Sequence, residues 1–422
     1  MAAAVELSGG GGKKRKRAVS GLTDLHDDML ERVLARLPPA SYFRLRGVSR
    51  RWRAAAESNT FRAACARVPP RDPWFLMLEE DQDQQPQQQQ PVPARPAAAV
   101  FDSAERAWAR WRGAPASAPV AAAGGLVLYR DPATGDLTVV NPLTGASRAL
   151  PPPPPSSSAL QAIAMYGSPY RVVLIMGDLP DLSIATFDST KNAWEGALPL
   201  SRKAEGDEAS PRERAAEEGE DADDDDAVYF LSKSGDVVAT TMQRSASRQY
   251  SCAVACRPGA GGVGEDAVAY FLSRSGTVVS CDLSRRAFAE LPRILSAYHE
   301  YSIDVVACGG AAYAVVLSEF LDAASVRVWE HDGAWRQVAA MPPAMAQAFR
   351  GAKADVNCVG HGDRVVVCVS SVDAAARGCF VCDVRTNTWE ELPPRAGREG
   401  DGDAATGFVA ALSFEPRMEA AV

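Results

Sequence analysis

Four histidines occur in the 422 residues, His26, His299, His331 and His361, and none sits in an HExxH or HxH spacing that would offer two imidazoles to one metal ion. Cys379-x-x-Cys382 is the one CxxC. On a strand its two thiols fall on opposite faces, and no second pair completes a zinc set, so the pattern reads as core packing. No GxSxG elbow, Walker loop or dinucleotide fingerprint is present. Tyr298, His299, Glu300 and Tyr301 form a polar aromatic cluster that suits a binding face or an exposed loop equally. These residues support no catalytic site, no resident metal and no cofactor, so the chemistry expected of the chain is recognition.

The elements that would position a recognition surface begin at Leu22. Between Leu22 and Arg62, Leu30, Val33, Leu34 and Leu37 recur at i, i+3, i+4 and i+7, one apolar stripe on a helix that Asp24 or Asp27 can cap and that Pro38 and Pro39 stop. Ser41 can cap a second helix carrying Leu45, Val48 and Trp52, with Arg44, Arg46, Arg50, Arg51 and Arg53 on the rest of its surface. Ser58, Asn59 and Thr60 offer a third start. About forty residues of helix bury too little apolar surface to stand comfortably alone, so the stripes call for completion by the rest of the chain or by a partner.

This stretch resembles the F-box, the motif by which substrate receptors attach to the Skp-type adaptor of SCF ubiquitin ligases. The resemblance covers Leu25-x-Asp27-Asp28, Leu30-Glu31-x-Val33-Leu34-x-x-Leu37-Pro38 and Leu45-x-x-Val48-x-x-x-Trp52, with Val48-Ser49-Arg50-Arg51-Trp52 its most specific part. His26 stands where the family's usual proline comes after the first leucine. The resemblance implies an adaptor-binding set of Leu25, His26, Leu30, Val33, Leu34, Leu37, Pro38, Leu45, Val48 and Trp52, in a helical domain spanning 21–66.

The composition, 46% hydrophobic and 23% charged, is that of a globular chain with room for two or three domains. The longest apolar runs, Val172 to Met176 and Val365 to Val369, are too short to cross a bilayer, and residues 1–20 lack the apolar segment of a signal peptide, so no membrane partner is expected. Nine unevenly spaced cysteines fit reduced thiols. Residues 1–20 read as a disordered tail whose Lys13, Lys14, Arg15, Lys16 and Arg17 could serve nuclear import, giving an expected location in nucleus and cytoplasm. The net charge of −8 argues against a general nucleic-acid binder, yet it hides an asymmetry. Residues 1–62 hold 13 Lys and Arg against 6 Asp and Glu, whereas 205–226 hold 12 acids against 2 arginines and read as a disordered insertion. Gln82 to Gln90 and the Pro151 to Pro155 run with Ser156 to Ser158 are further low-complexity loops.

From about residue 73 to 416 the spacing changes to short apolar strands punctuated by Gly, Asp, Asn and Pro, a β region. A phrase recurs in it: a strand, an Asp or Asn, a polar turn, an aromatic, a second short strand, often Leu-Pro. It appears from Val100, Thr186, Ser280, Val328 and Val381, and without the aromatic from Val140. The turn residues can bond the local backbone, and the Trp or Phe can pack between neighbouring sheets. FLSKSGDVV from Phe230 and FLSRSGTVV from Phe271 are nearly identical at an offset of 41 residues. Counting the unit around Phe230, which lacks the closing phrase, gives seven.

Such units describe propeller blades, with glycine-marked turns at Gly124-Gly125 and Gly309-Gly310. The pattern resembles degenerate kelch repeats, Gly309, Gly310, Tyr313 and Trp335 keeping the family order most closely, and F-box plus β region resembles the plant F-box/kelch proteins. The expected fold is mainly β, a six- or seven-bladed propeller, seven favoured, behind a small all-α domain. The resemblance implies a non-enzymatic receptor, bound through the Skp-type adaptor to cullin, whose propeller captures a protein substrate for ubiquitination; it assigns no substrate-binding residue. The competing readings are an oxidase-like propeller enzyme, for which the histidines are too scattered, and a transcriptional cofactor independent of ubiquitin.

Overall fold

The computed structural model describes residues 26–45, 47, 49–79, 98–110, 117–203, 227–231, 237–241, 250–258, 265–273, 277–294, 300–320, 323–350, 354–371, 377–393 and 408–422. The basic run Lys13–Arg17, the acidic insertion 205–226, the Gln-rich stretch, Leu25, Val48, Tyr298 and His299 lie outside the described residues. The chain divides into two compact units, Met1–Pro69 and Pro70–Val422. Among the described residues no helix is long and apolar enough to cross a membrane.

The first unit is helical: α1 Asp27–Arg36, α2 Pro39–Leu45, α3 Arg50–Ala56 and α4 Asn59–Cys65. Its boundaries correct the capping read from the sequence. His26 occupies the N-cap of α1 without a side-chain bond, while Asp27 and Asp28 sit in the first turn, where they favour the positive end of the helix dipole. Pro39 opens α2, since proline has no N–H to lose at a first helical position, and Ser41 lies inside that helix instead of capping it. The stretch read as one second helix is two, α2 and α3, with Gly47 in the connection between them. Ser58 does cap α4, its Oγ accepting from Phe61 N at 2.9 Å.

The second unit is a six-bladed β-propeller. Blade 2 spans residues 118–149, blade 3 160–199, blade 4 253–290, blade 5 300–340 and blade 6 355–391. Blade 1 is assembled from both ends of the unit: Phe408–Phe414 is its inner strand and pairs antiparallel with Trp74–Glu79, with Ala98–Asp102 and Ala107–Arg110 further out. The inner strands Phe408–Phe414, Ala118–Ala123, Leu160–Tyr166, Ala253–Pro258, Glu300–Cys308 and Asp355–His361 neighbour one another in that order and return to the first, closing the ring. Closure leaves no free inner edge. The expected seventh unit is a separate two-stranded hairpin, Ala227–Leu231 with Val237–Thr241, and Ser201–Arg202 adds a parallel strand to the outer edge of blade 4.

The second strand of each blade explains the apolar runs. Val365, Val367 and Val369 pack toward blade 5 while Val366 and Cys368 pack toward blade 1; Val172, Leu174 and Met176 meet blade 2 while Val173 and Ile175 meet blade 4. A strand covered on both faces cannot alternate with polar residues. Outer strands such as Ser147–Ala149 and Thr388–Glu391 have no such cover and are polar.

The recurring phrase closes each blade. Asp102, Asn141, Asp282 and Asp383 end third strands, and each side-chain oxygen accepts two backbone N–H groups two and three residues on, as Asp383 does from Arg385 at 3.0 Å and Thr386 at 2.9 Å. Asp188 accepts from the Thr190 backbone N–H and from the Thr190 hydroxyl. Four residues after the Asp or Asn the chain turns left-handed, at Arg106, Gly145, Asn192, Arg286 and Asn387, and enters the fourth strand. The aromatic then latches blades: Trp108, Trp194 and Trp335 donate Nε1–H to the carbonyls of Pro393, Pro151 and Pro292, the prolines of the Leu-Pro that ends the preceding blade. At Gly124-Gly125 and Gly309-Gly310 both residues have positive φ, the two-residue hairpin turn whose twist suits the flanking strands.

Candidate partner-binding surfaces

In the helical unit, α1 presents two faces. Leu30 and Leu34 are buried, as are Ala35, Tyr42, Phe61 and Cys65, and the Tyr42 and Phe61 rings stack with centroids 5.5 Å apart. Glu31 is buried but satisfied: one oxygen accepts from Ser58 Oγ at 2.7 Å and Thr60 Oγ1 at 2.9 Å, tying α1 to α4. Arg51 reaches Asp27 at 2.8 Å and ties α1 to α3. On the opposite side Met29 and Val33 stand 48% and 36% exposed, one helical turn apart, with partly exposed Leu37 and exposed Pro38 beyond them. Arg32 and Arg36 flank that row and are exposed. An exposed apolar row backed by a buried, hydrogen-bonded side of the helix is a candidate docking surface.

A family model for the F-box domain matches residues 22–63. F-box only protein 13 of Arabidopsis thaliana is 38% identical over 421 residues, covering 95% of this chain and 86% of that protein. The chain belongs to the F-box protein family. F-box only protein 6 of the same organism is 30% identical over 193 residues, 42% of this chain and 37% of that protein. Among solved structures, the chain is similar to TolB from Acinetobacter baumannii with a TM-score of 0.40 and 9% identity, covering 86% of this chain and 73% of that one.

The described residues of the set that the F-box resemblance implies differ in exposure. Leu30 and Leu34 belong to the unit's own core; His26, Val33 and Pro38 are exposed, and Leu37, Leu45 and Trp52 are partly exposed. A stripe at i, i+3, i+4 and i+7 therefore holds residues of both kinds. Met29, which the periodicity did not single out, completes the outer row because it precedes Val33 by four.

The two propeller faces also differ. On the face bearing the turns between first and second strands, the C-terminal tail lies across blade 2: Asn141 Nδ2 donates to the carbonyls of Arg417 at 3.1 Å and Ala420 at 2.8 Å, and Ala420 and Val422 pack on the seam of blades 2 and 3. A Cβ on Gly125 would meet the Arg417 side chain at 2.7 Å, so glycine is what lets the tail sit there. The packed region thus runs on to Val422, past the expected end at 416. The opposite face carries longer connections, including the proline run after blade 2 and the short helix Pro343–Ala346 after blade 5.

Neither face gathers a metal site: among the described residues no three His, Cys, Asp or Glu groups are placed to hold a metal ion. His331 packs edge-on to Trp335, ring centroids 5.0 Å apart. His361 lies near Ser413 and, at 4.0 Å, Glu415. Burial holds both imidazoles below their usual range, His361 despite the nearby Glu415 and Asp72 carboxylates. Cys379 and Cys382 face opposite sides of their strand, toward blades 1 and 5 respectively.

Proposed function

We propose that this F-box protein is the receptor subunit of an SCF-type ubiquitin ligase, in which the F-box binds a Skp-type adaptor and, through it, cullin, while the propeller holds a protein substrate. The observation that carries the reading is the pairing of an F-box at residues 22–63 with a second unit closed on itself by its first and last strands. A ring that completes its own hydrogen bonding needs no adaptor to fold, so one unit can bind the ligase while the other binds cargo. The chain then works without an active site of its own, by bringing substrate near the charged conjugating enzyme. The face with the longer connections is the substrate face in this reading, since the chain's own tail crosses part of the other.

The outer row of α1 supplies the test. Met29→Glu with Val33→Glu places two charges on exposed positions and leaves Leu30 and Leu34 in place. Each apolar side chain buried at an interface contributes about 1.5–3 kcal/mol, so adaptor binding should weaken by roughly a hundredfold or more, with the helical signal of the unit unchanged. Co-purification of the double variant with adaptor at wild-type yield would overturn the assignment. Leu34→Ala is the contrasting control: it should cost the unit about 2–5 kcal/mol of its own stability.

A further inference from the structure

Most of the cysteines serve only to fill the core, but one pair is arranged for chemistry. Cys368 and Cys379 are direct cross-strand partners on the second and third strands of blade 6, with their sulfur atoms 2.9 Å apart. The backbone makes this a favourable place for a bond. Leu392 N donates to Cys379 O at 2.8 Å, so Cys379 directs its peptide groups to the outer strand, and its pairing with Cys368 is of the closely spaced, non-hydrogen-bonded kind. There Cα atoms lie about 4.5 Å apart, inside the range of about 4.4–6.8 Å that a disulfide spans. Cys368 is fully buried against Met77 of blade 1, whereas Cys379 is only partly buried on the same seam. The pair thus joins a partly exposed residue to a fully buried one behind it. Elsewhere burial pushes the Cys281, Cys308 and Cys382 thiols up to about 12, which keeps them protonated and unreactive.

We propose that Cys368 and Cys379 are an oxidisable dithiol that closes to a disulfide within blade 6 when the protein meets a hydroperoxide. The Cys379 thiolate attacks the terminal oxygen of the peroxide; the O–O bond breaks, an alcohol or water leaves with the proton, and Cys379 becomes a sulfenic acid. The Cys368 sulfur then attacks the Cys379 sulfur, the S–O bond breaks, and water leaves. Two thiols have lost two electrons to the peroxide oxygen, and a dithiol reductant reverses the change. The bond staples two strands of blade 6 at its seam with blade 1, the blade that closes the ring from both ends of the unit. Cross-linking there constrains the unfolded chain.

The experiment uses the full chain, reduced and then exposed to hydrogen peroxide at a few equivalents, with remaining thiols alkylated. Intact mass should fall by two hydrogens, and peptide mapping should find Cys368 joined to Cys379, with Tm raised by about 2–4 °C and restored by dithiothreitol. Cys368→Ser should stop the reaction at Cys379 sulfenic acid, trapped by dimedone, and Cys379→Ser should abolish the cross-link. Gain of oxygen without loss of the two hydrogens, or a cross-link joining any other pair, overturns the proposal. Mapping of the unsubstituted protein decides the matter even if a serine variant fails to fold.

Discussion

The hairpins beginning near Phe230 and Phe271 carry nearly the same sequence and meet different ends. Phe230 pairs with Val238 and Leu231 with Val237; at the offset of 41 residues, Phe271 pairs with Val279 and Leu272 with Val278. Register is thus the same, set by the strands and the turn they share. Yet the second hairpin is the middle of a blade, whereas the first, among the described residues, is a two-stranded sheet. The difference lies in the residues just beyond. At the same offset, Thr241, Ser245 and Ser247 stand where blade 4 has Asp282, Arg286 and Phe288. The carboxylate that accepts two turn N–H groups and the aromatic that enters a seam are both missing from that sequence. A hairpin is specified by its own residues, whereas a blade needs the next turn and an inner strand as well.

The largest test of that contrast is a pair of truncations. Phe271 is 2% exposed in the core between blades 3 and 4, so Phe271→Ala should cost about 3–5 kcal/mol in denaturant unfolding. Removing the hairpin Ala227–Leu231 with Val237–Thr241, which pairs with no strand of the six blades among the described residues, should cost far less. Equal losses would show that the hairpin unfolds with the propeller and that the ring is seven units after all.

The same contrast shows what the sequence makes legible. The closing phrase could be read because Asp, polar turn and aromatic each have a local job, and their side chains perform those jobs here. The F-box was legible because its residue types and spacings are held by an intimate helical core. Blade count was harder, since the hairpin phrase at Phe230 repeats without its completion. Strand Phe408–Phe414 carries no phrase to mark it as part of a blade, and it finds its partner, Trp74–Glu79, at the other end of the unit. Nor does helical period say which side of α1 turns inward; that is fixed by Tyr42, Phe61 and the hydroxyls around Glu31.

A smaller effect separates latched from unlatched seams. Trp194 donates to Pro151 O at 2.7 Å, while Phe288 holds the corresponding place in blade 4 with no donor. Trp194→Phe keeps most of the ring and removes the bond, for a loss of about 1 kcal/mol. Phe288 tolerates the lack of a donor because it is itself fully buried, 1% exposed, so packing supplies what the hydrogen bond supplies elsewhere. A silent Trp194→Phe would mean that ring packing alone latches every seam.

The smallest expected effect lies in the turn carboxylates, and pH reads it. The Thr190 hydroxyl bonded to Asp188, then the Thr190 and Lys191 backbone amides, hold its carboxyl below the ordinary 3.8, and the Thr386 amide does the same for Asp383. A carboxyl whose folded value is depressed binds protons more readily in the unfolded chain. Its stabilisation is therefore complete above about pH 4 and fades as pH falls below 3.8 through the folded value. Asp188→Asn keeps an oxygen for the turn but removes this proton linkage. Its unfolding free energy should drop slightly at pH 7, by under about 1 kcal/mol, and the gap to the unsubstituted protein should close on titration from pH 4 downward. A gap that persists unchanged at low pH would mean that the Asp188 charge contributes nothing, and that the shape of the turn, for which the Phe230 hairpin has no Asp, is the whole of what closes a blade.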